Sequence, residues 1–579
     1  MAPCRVKVCV CVALVLLVLV VVLCVTFFHD HGCPDGSFRR AAVAADSRTC
    51  SEVGRDILKL GGSAVDSAIA ALLCTSVIHP QSMGVGGGSI FTIRDASGKI
   101  RISLMCFCHA VKKILSLRIR PCTGKVQIIN ARETVPKNFN PELLKKCTQS
   151  FQSLPGTEWI GVPGEVRAYE EVHRQYGKLP WASLFQPTIK MAREGIPLSP
   201  VLARFLYMLQ DDKTLQLRKL FTDKNGKLLK EGDTLRFEKL ADTLEVIAEK
   251  GADAFYTGEI ARSLISDIKD AGGILSLEDL NSFEVSVTSA WKVPLGDFDM
   301  YIPPPPAGGA TLSFILNTMR GYNLSSESLR GKQKTLTFHR YVETCKFANG
   351  LKKFLRDPRF GSEREPLKMT QEGFAMKMRA LISSSQTYGP QHYNVTPYLD
   401  SWGTTHLSVL AEDGSAVSVT STINHIFGSR LYSPKTGILL NNELSDFCGK
   451  VDQIQAGERP PSSMSPAILF SRSKKDTIVI GGSGGSMITT ALALTIMNHL
   501  WFGKSLEEAI SAPVVFVDSK NALNFEPNFD MEVVQNLKDL GHTVEVRKTF
   551  FNVINGISKE GSCIHAVSDA RKLGKSAGY

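Results

Sequence analysis

Several function classes leave no trace in this sequence. It has no Walker loop, no H-E-x-x-H and no zinc-finger spacing, so the common marks of nucleotide hydrolysis and zinc chemistry are missing. It has no internal repeat, which excludes a solenoid or propeller array. Cysteine is sparse, 14 in 579 residues, too few for a disulfide scaffold. Charged residues are 21% and hydrophobic residues 43%, a globular balance that excludes wholesale disorder and collagen. Beyond one amino-terminal run there is no second apolar stretch of comparable length, so a polytopic membrane protein is excluded. Gly84-Val-Gly-Gly-Gly88 precedes a strand-like Ile90–Ile93, the wrong order for a dinucleotide fingerprint.

The length allows two to four domains or one large composite core. Lys+Arg 67 minus Asp+Glu 56 gives +11. Arg101, Lys112, Lys113, Arg118 and Arg120 supply nearly half of it, and no acid lies between Ile100 and Gly124. A charge so localised does not argue for a nucleic-acid partner, and none is expected.

Val8–Phe28 carries no charge and is rich in Val and Leu. A helix of that length spans roughly 30 Å, a hydrocarbon core. A cleaved signal peptide has a shorter apolar region and a small-residue cleavage site. Here the run ends in Phe27-Phe28-His29. The expectation is a cytoplasmic tail (1–7), an uncleaved transmembrane signal-anchor (8–28) and an exterior remainder. That is a single-pass type II plasma-membrane protein. Asn323-Leu-Ser and Asn394-Val-Thr are glycosylation sequons. Cys50 and Cys74 flank a helical-looking segment and could form a disulfide outside the cell, though Cys74 also suits a plain core position.

Ser51–Leu60, Ala64–Ile78, Trp181–Glu194, Leu240–Lys250 and Thr311–Met319 have helical periodicity. After residue 400, Thr405–Leu410, Ala416–Ile423, Ile438–Leu440 and Ile478–Ile480 look like buried strands, the last broken by Gly481-Gly-Ser-Gly-Gly485. A helix over Met487–Trp501 follows. Helices, then strands, then helices imply sheets covered by helices.

Thr420-Ser-Thr-Ile-Asn424, Asn441-Asn-Glu443-Leu-Ser-Asp446, Pro461-Ser-Ser-Met464 and Gly484-Gly485 follow closely on Gly403-Thr404. Buried polar groups are costly unless paired, so this density on buried strands points to a polar pocket. With Asn130-Ala-Arg-Glu133 and Gly161-Val-Pro-Gly-Glu165, these motifs resemble the gamma-glutamyltransferases (glutathione hydrolases) over nearly the whole chain. Pro303-Pro-Pro-Pro-Ala-Gly-Gly309 and Leu444-Ser-Asp-Phe-Cys448 are most similar to the gamma-glutamyl leukotrienase branch.

The resemblance implies an α/β fold, an N-terminal-nucleophile hydrolase with a four-layer αββα sandwich. It implies self-cleavage between Gly403 and Thr404 into a large (29–403) and a small (404–579) subunit, held together without a covalent link. Thr404 would be the nucleophile. A threonine hydroxyl needs a base. Cleavage creates an α-amino group on the same residue, with an ordinary pKa of about 7.7–8.0, so base and nucleophile arise together. By the same resemblance Thr422 supports Thr404, and the Gly484 and Gly485 N–H groups form the oxyanion hole. Arg132, Ser462 and Ser463 take the α-carboxylate of a glutamyl group, and Asn424, Glu443 and Asp446 its α-ammonium. Reading both charges selects a γ-linked glutamate. The implied donors are glutathione and its conjugates, such as leukotriene C4. Acceptors are water, amino acids or dipeptides, and no cofactor or metal is expected. His406 is read as a satisfied strand histidine.

Two alternatives stay in view. One is a related acylase with another acyl group, which would not need a carboxylate clamp. The other is a non-catalytic ectodomain, against which the intact Thr404, Thr422, Gly484 and Gly485 argue.

The segment 100–125 departs from the family pattern. It is basic, apolar, carries Cys106, Cys108 and Cys122, and lies between two similar turns, Ser97-Gly-Lys99 and Thr123-Gly-Lys125. It reads as a membrane- or partner-binding loop, as a tolerated surface excursion, or as sequence absent from the main product, such as a retained intron; the last is favoured.

Overall fold

The computed structural model describes residues 33–95, 101–105, 116–120, 125–148, 154–211, 214–545 and 552–579. The expected membrane segment 8–28 and tail 1–7 lie outside these. Among the described residues no helix is long and apolar enough to cross a membrane.

Strand β1 (Ala42–Ala44) leads into helices α1 (Arg48–Lys59) and α2 (Ala64–Ile78). A capping box starts α2: Ser63 Oγ accepts the Asp66 N–H at 3.0 Å, and Asp66 Oδ2 accepts the Ser63 N–H at 2.8 Å. α2 is apolar on every side, so it is buried on every side. Next come β2 (Gly88–Arg94), the hairpin β3 (Arg101–Met105) and β4 (Ser116–Arg120), and β5 (Val126–Asn130). β2 and β5 pair directly up to Arg94↔Val126, so the basic segment falls within the chain that connects them.

Helices α3 (Glu165–Tyr176), α4 (Trp181–Glu194) and α5 (Glu238–Lys250) precede β6 (Ser286–Ser289), β7 (Trp291–Leu295) and β8 (Phe298–Ile302). Then come α6 (Gly309–Arg320), α7 (Gly331–Leu351), β9 (Thr405–Leu410), β10 (Ala416–Thr422), β11 (Ala467–Ser471) and β12 (Thr477–Ser483). The chain closes with α8 (Ile488–Leu500), β13 (Val553–Glu560), β14 (Cys563–Val567) and β15 (Ala577–Gly578).

The strands form two large sheets, ordered β15-β1-β9-β10-β2-β5-β6 and β14-β13-β12-β11-β8-β7. Alternation along each strand sorts side chains between layers. Leu407, Val409, Val417 and Val419 pack with α2–α5 on the outer face of the first sheet. Ile478, Ile480 and Leu469 pack with α6–α8 outside the second. Between the sheets lie Ala42, Ala44, Leu410, Ala416, Ile468, Val479 and Ile557, giving the helix–sheet–sheet–helix order. Hydroxyls also cross the gap: Ser418 Oγ donates to the Ile480 carbonyl at 2.9 Å, and Thr92 Oγ1 to Pro466 at 2.7 Å.

Three expectations need correction. Ile438–Leu440 is not a strand; it makes only an isolated bridge, Leu439 to Tyr432. A Cβ on Gly86 would lie 2.2 Å from the Leu439 carbonyl, so a glycine loop crosses where a strand partner would pair. Gly481-Gly482 does not break β12, which runs on to Ser483. Gly481 makes room for the His406 ring, 2.3 Å from where its Cβ would sit, and Gly482 for the Ile554 side chain, 2.4 Å from where its own would sit. The third concerns the cut pieces. Cys50–Cys74 is a disulfide within the large piece, but Cys33–Cys563 and Cys147–Cys448 both bridge the Gly403–Thr404 junction. Subunits made by cutting there are covalently joined. Sequence separations of 530 and 301 hid those pairs.

Candidate active site

The first residue before β9 is Thr404, and its backbone is strained. Its φ is 80°, a conformation β-branched residues rarely adopt and which costs on the order of 1–3 kcal/mol. Gly403 before it has φ 152°, and a Cβ there would lie 1.9 Å from the Asn424 carbonyl. Thr404 Oγ1 lies 3.1 Å from Thr422 Oγ1, at the end of β10. Thr422 Oγ1 also accepts the Asn424 N–H at 2.7 Å. The Gly484 N–H donates to the Gly403 carbonyl at 2.9 Å, so the N–H expected to serve as an oxyanion-hole donor rests on the bond expected to break. Gly484 and Gly485 have φ 119° and 57° and turn the chain from β12 toward the α8 amino terminus. The approach to the junction is held from the other side. The Ser519 N–H donates to Asp400 at 2.9 Å, and Ser401 exchanges bonds with Ser486 at 3.1 Å.

Beneath Thr404 lies a charged platform that sequence reading missed. Lys572, fully buried, donates to the Thr404 carbonyl (2.6 Å), Asp46 Oδ2 (2.7 Å) and Ser483 Oγ (3.1 Å). Asp46 also accepts from Thr405 (2.6 Å) and Asn555 (2.8 Å). Burial raises the Asp46 pKa, but Lys572 and its other partners outweigh this, and the net shift is downward. His406 is buried between the sheets, bonded to Thr420 (2.9 Å) and Ser408 (3.1 Å), and burial lowers its pKa to about 3. It carries no visible role beyond packing.

One pocket brings together Arg132, Thr404, Thr422, Asn424, Glu443, Asp446, Ser462, Ser463 and Gly485. Gly484 touches it through the Gly403 carbonyl. Ser401, Lys450, Met464 and Ile488 also line it, and of these only Met464 lay in a motif picked out from sequence. Arg132 does not stand free. Its guanidinium donates to Glu443 and to Asp446, and Nε to the Pro460 carbonyl at 2.8 Å. Glu443 Oε2 and Asp446 Oδ1 are buried and have no hydrogen-bond partner among the described residues. Burial raises the Glu443 pKa most, Arg132 pulls it back and Asp446 pushes it up, leaving it at about 7. Both Asn424 amide hydrogens are spent on Asn442 and Ser445, so its carbonyl oxygen is what it offers the pocket. Glu443–Phe447 is a buried 3-10 turn, which places both carboxylates on the pocket.

The proline-glycine turn 303–309 is more than a spacer. The Ser462 N–H donates to Pro306 at 2.7 Å and the Gly308 N–H to Met464 at 2.9 Å, which seats the serine pair. Glu133 was passed over. Both its carboxyl oxygens are buried beside Arg132 without partners among the described residues, and burial, then Glu443, holds its pKa well above the ordinary range. The sequons Asn323 and Asn394 are both exposed.

The gamma-glutamyltranspeptidase family model matches residues 50–105 and 117–579. The chain is 44% identical to the human glutathione hydrolase 5 proenzyme over 585 residues, 95% of each chain. It is 36% identical to scoloptoxin SSD14 of Scolopendra dehaani over 559 residues, 93% of this chain and 92% of that one. Among solved structures it is similar to a cephalosporin acylase from Bacillus halodurans, with TM-score 0.80 over 94% of this chain and 96% of that one. That likeness, at 24% identity, speaks for the fold alone. The family match, the relatives and the pocket around Thr404 agree: the chain belongs to the gamma-glutamyltranspeptidase family, as a hydrolase/transferase of the glutathione hydrolase type.

Proposed function

We propose that this protein is anchored by residues 8–28 with its catalytic part outside the cell, and that it cuts itself between Gly403 and Thr404. Thr404 Oγ1 attacks the Gly403 carbonyl carbon, and the amide becomes an ester. Water opens the ester, leaving a carboxylate on Gly403 and an α-amino group on Thr404. The observation that carries this is the Thr404 hydroxyl beside Thr422, with the Gly484 N–H on the Gly403 carbonyl. Strain at Thr404 favours the cut.

In the cut enzyme the same hydroxyl attacks the γ-carbonyl of glutathione or a conjugate such as leukotriene C4. The α-amino group takes the hydroxyl proton and passes it to the departing amine. A γ-glutamyl ester forms on Thr404, and water or an amino acceptor releases it. Before cutting, Ser401 and Gly403 occupy the space beside the nucleophile. Substrate therefore needs the new large-subunit end to withdraw. The clamp of Arg132, Glu443 and Asp446 favours a glutamyl over a plain acyl donor, because an apolar acyl chain gives buried charges nothing to pair with.

Wild type and Thr404→Ala should be compared on a reducing denaturing gel and for glutamate release from glutathione and leukotriene C4. Wild type should give two bands and release glutamate, and the variant one uncut band and none. Cleavage in the variant would remove Thr404 as nucleophile.

A further inference from the structure

We propose that Glu165 is a positioning residue for Thr422, holding it against the nucleophile through Ser421. This rests on the function proposed above and gives a role to the Gly161-Val-Pro-Gly-Glu165 motif, which that function leaves unused. Thr422 stands 3.1 Å from Thr404 and is the last residue of β10. A strand end has fewer ladder bonds than its middle, so its aim depends on what else holds it.

Two contacts from the start of α3 hold it. Neighbouring residues on a strand face opposite ways, so Thr422 faces the pocket and Ser421 the helices outside the first sheet. There Ser421 Oγ donates to Glu165 Oε1 at 2.9 Å, and both residues are fully buried. The second contact is made by backbone. Ser421 and Thr422 pair with Ser89 and Gly88 of β2. The Gly164 and Glu165 N–H groups both donate to the Gly87 carbonyl, at 2.9 and 3.0 Å. A Cβ on Gly87 would lie 2.0 Å from the Thr422 carbonyl, so the segments meet with no room to spare. Glu165 thus grips both strands at the rung that carries Thr422.

A carboxyl is a costly group to bury for packing alone. Burial pushes Glu165 up to about 7, and the hydroxyls of Tyr169, Ser421 and Ser89 draw it back. Tyr169 lies one turn along α3, and Ser89 opposite Ser421 on β2. Glu133 and Tyr256 are the other titratable groups its charge reaches. A carboxylate accepts the Ser421 hydroxyl more strongly than the neutral acid does, because charge-assisted bonds are shorter and stronger. Ionisation therefore tightens the grip on Thr422, and protonation loosens it. Glu165 does not line the pocket, so the effect belongs in kcat rather than in donor binding.

The test uses the full chain as wild type, Glu165→Gln, Glu165→Leu and Ser421→Ala. Thermal unfolding shows whether each folds. The readouts are the rate of self-cleavage on a reducing gel, and kcat and KM for L-γ-glutamyl p-nitroanilide across pH 6 to 8. Glu165→Leu and Ser421→Ala should lower kcat and slow self-cleavage about tenfold, with KM little changed. Glutamine keeps an acceptor for Ser421 but not the charge. Glu165→Gln should match wild type at pH 6 and fall about threefold behind at pH 8. The α-amino base proposed on Thr404 is common to both and drops out of their ratio. A ratio flat across pH would overturn the proposal. So would an unchanged kcat in Ser421→Ala, or a KM that rises as much as kcat falls. If Glu165→Leu fails to unfold cooperatively, Ser421→Ala and Glu165→Gln decide. A wild type that cuts itself but is inactive on every γ-glutamyl donor would overturn the functional reading, and the self-cleavage rates would still test Glu165.

Discussion

The Asp46–Lys572 pair and the Arg132–Glu443–Asp446–Lys450 group are both buried and both border Thr404, but they differ in how many of their bonds are made. All three Lys572 donors are used and both Asp46 carboxylate oxygens are paired. In the second group one oxygen of each carboxylate and the Lys450 ammonium have no hydrogen-bond partner among the described residues. A finished network holds a backbone still. An unfinished one stores desolvation cost that a ligand can relieve. The same ion-pair chemistry thus makes a platform in one place and a receptor in the other, and the count of unmade bonds tells them apart.

The largest effect should come from breaking the finished cluster. Lys572→Met leaves Asp46 buried without its cation, a loss on the order of 3–5 kcal/mol. It also frees the Thr404 carbonyl. We expect a clear fall in thermal stability, read by calorimetry, together with slow or absent self-cleavage. Normal stability and normal cutting would show that the platform is incidental.

The unfinished cluster should respond to pH. Glu443 must be ionised to receive an α-ammonium, and its pKa stands at about 7. As pH falls through 7 it gains a proton, so KM for γ-glutamyl p-nitroanilide should rise by up to about tenfold per pH unit. Glutaryl p-nitroanilide, which has no α-ammonium, should lack this limb. The α-amino base proposed on Thr404 would serve both donors alike, so the difference between their profiles isolates Glu443.

A smaller effect is expected from Cys147→Ser with Cys448→Ser. The bridge ends one residue beyond the turn bearing Glu443 and Asp446. Loosening it should raise KM a few-fold with kcat little changed. On non-reducing gels, cut wild type should run as one species and separate on reduction. The double variant should still be joined through Cys33–Cys563. Separation of wild type without reductant would refute the cross-links.

The smallest effect belongs to the basic tip. Deleting 100–125 joins Lys99 to Val126 and leaves Asp95–Lys99 as the turn between β2 and β5, a normal hairpin length. Stability and activity should be kept or improved. An inactive deletion from an active parent would tie the tip to the site, since β5 runs directly toward Arg132.

Legibility followed distance along the chain. Helix α2 was readable because its apolar run and the Ser63–Asp66 box are local. Strands β9 and β10 were readable from their buried, β-branched runs. Ile438–Leu440 misled because its composition suits a strand, while Gly86, far away in sequence, decides what crosses it. The site residues were legible only as motifs. Nothing in Glu443 or Asp446 alone shows that Arg132, more than 300 positions earlier, sits between them. Asp46, Lys572 and Lys450 were missed because each lies in a stretch whose composition marks nothing unusual.

By itself, the sequence determined the residue types the chemistry needs and the local elements that carry them. These are a threonine after a glycine, a glycine pair after a strand, a carboxylate pair on a short turn, and strands with two buried faces. The tertiary structure decided which of these groups meet and which of their bonds are left unmade. It laid the Gly403 carbonyl on the Gly484 N–H, joined the segments on either side of the Gly403–Thr404 bond through Cys33–Cys563 and Cys147–Cys448, and committed Arg132 to two carboxylates. The physical reason is range. Propensity, capping and periodicity act over a few residues, whereas burial, desolvation and hydrogen-bond satisfaction depend on every chain segment that shares the space.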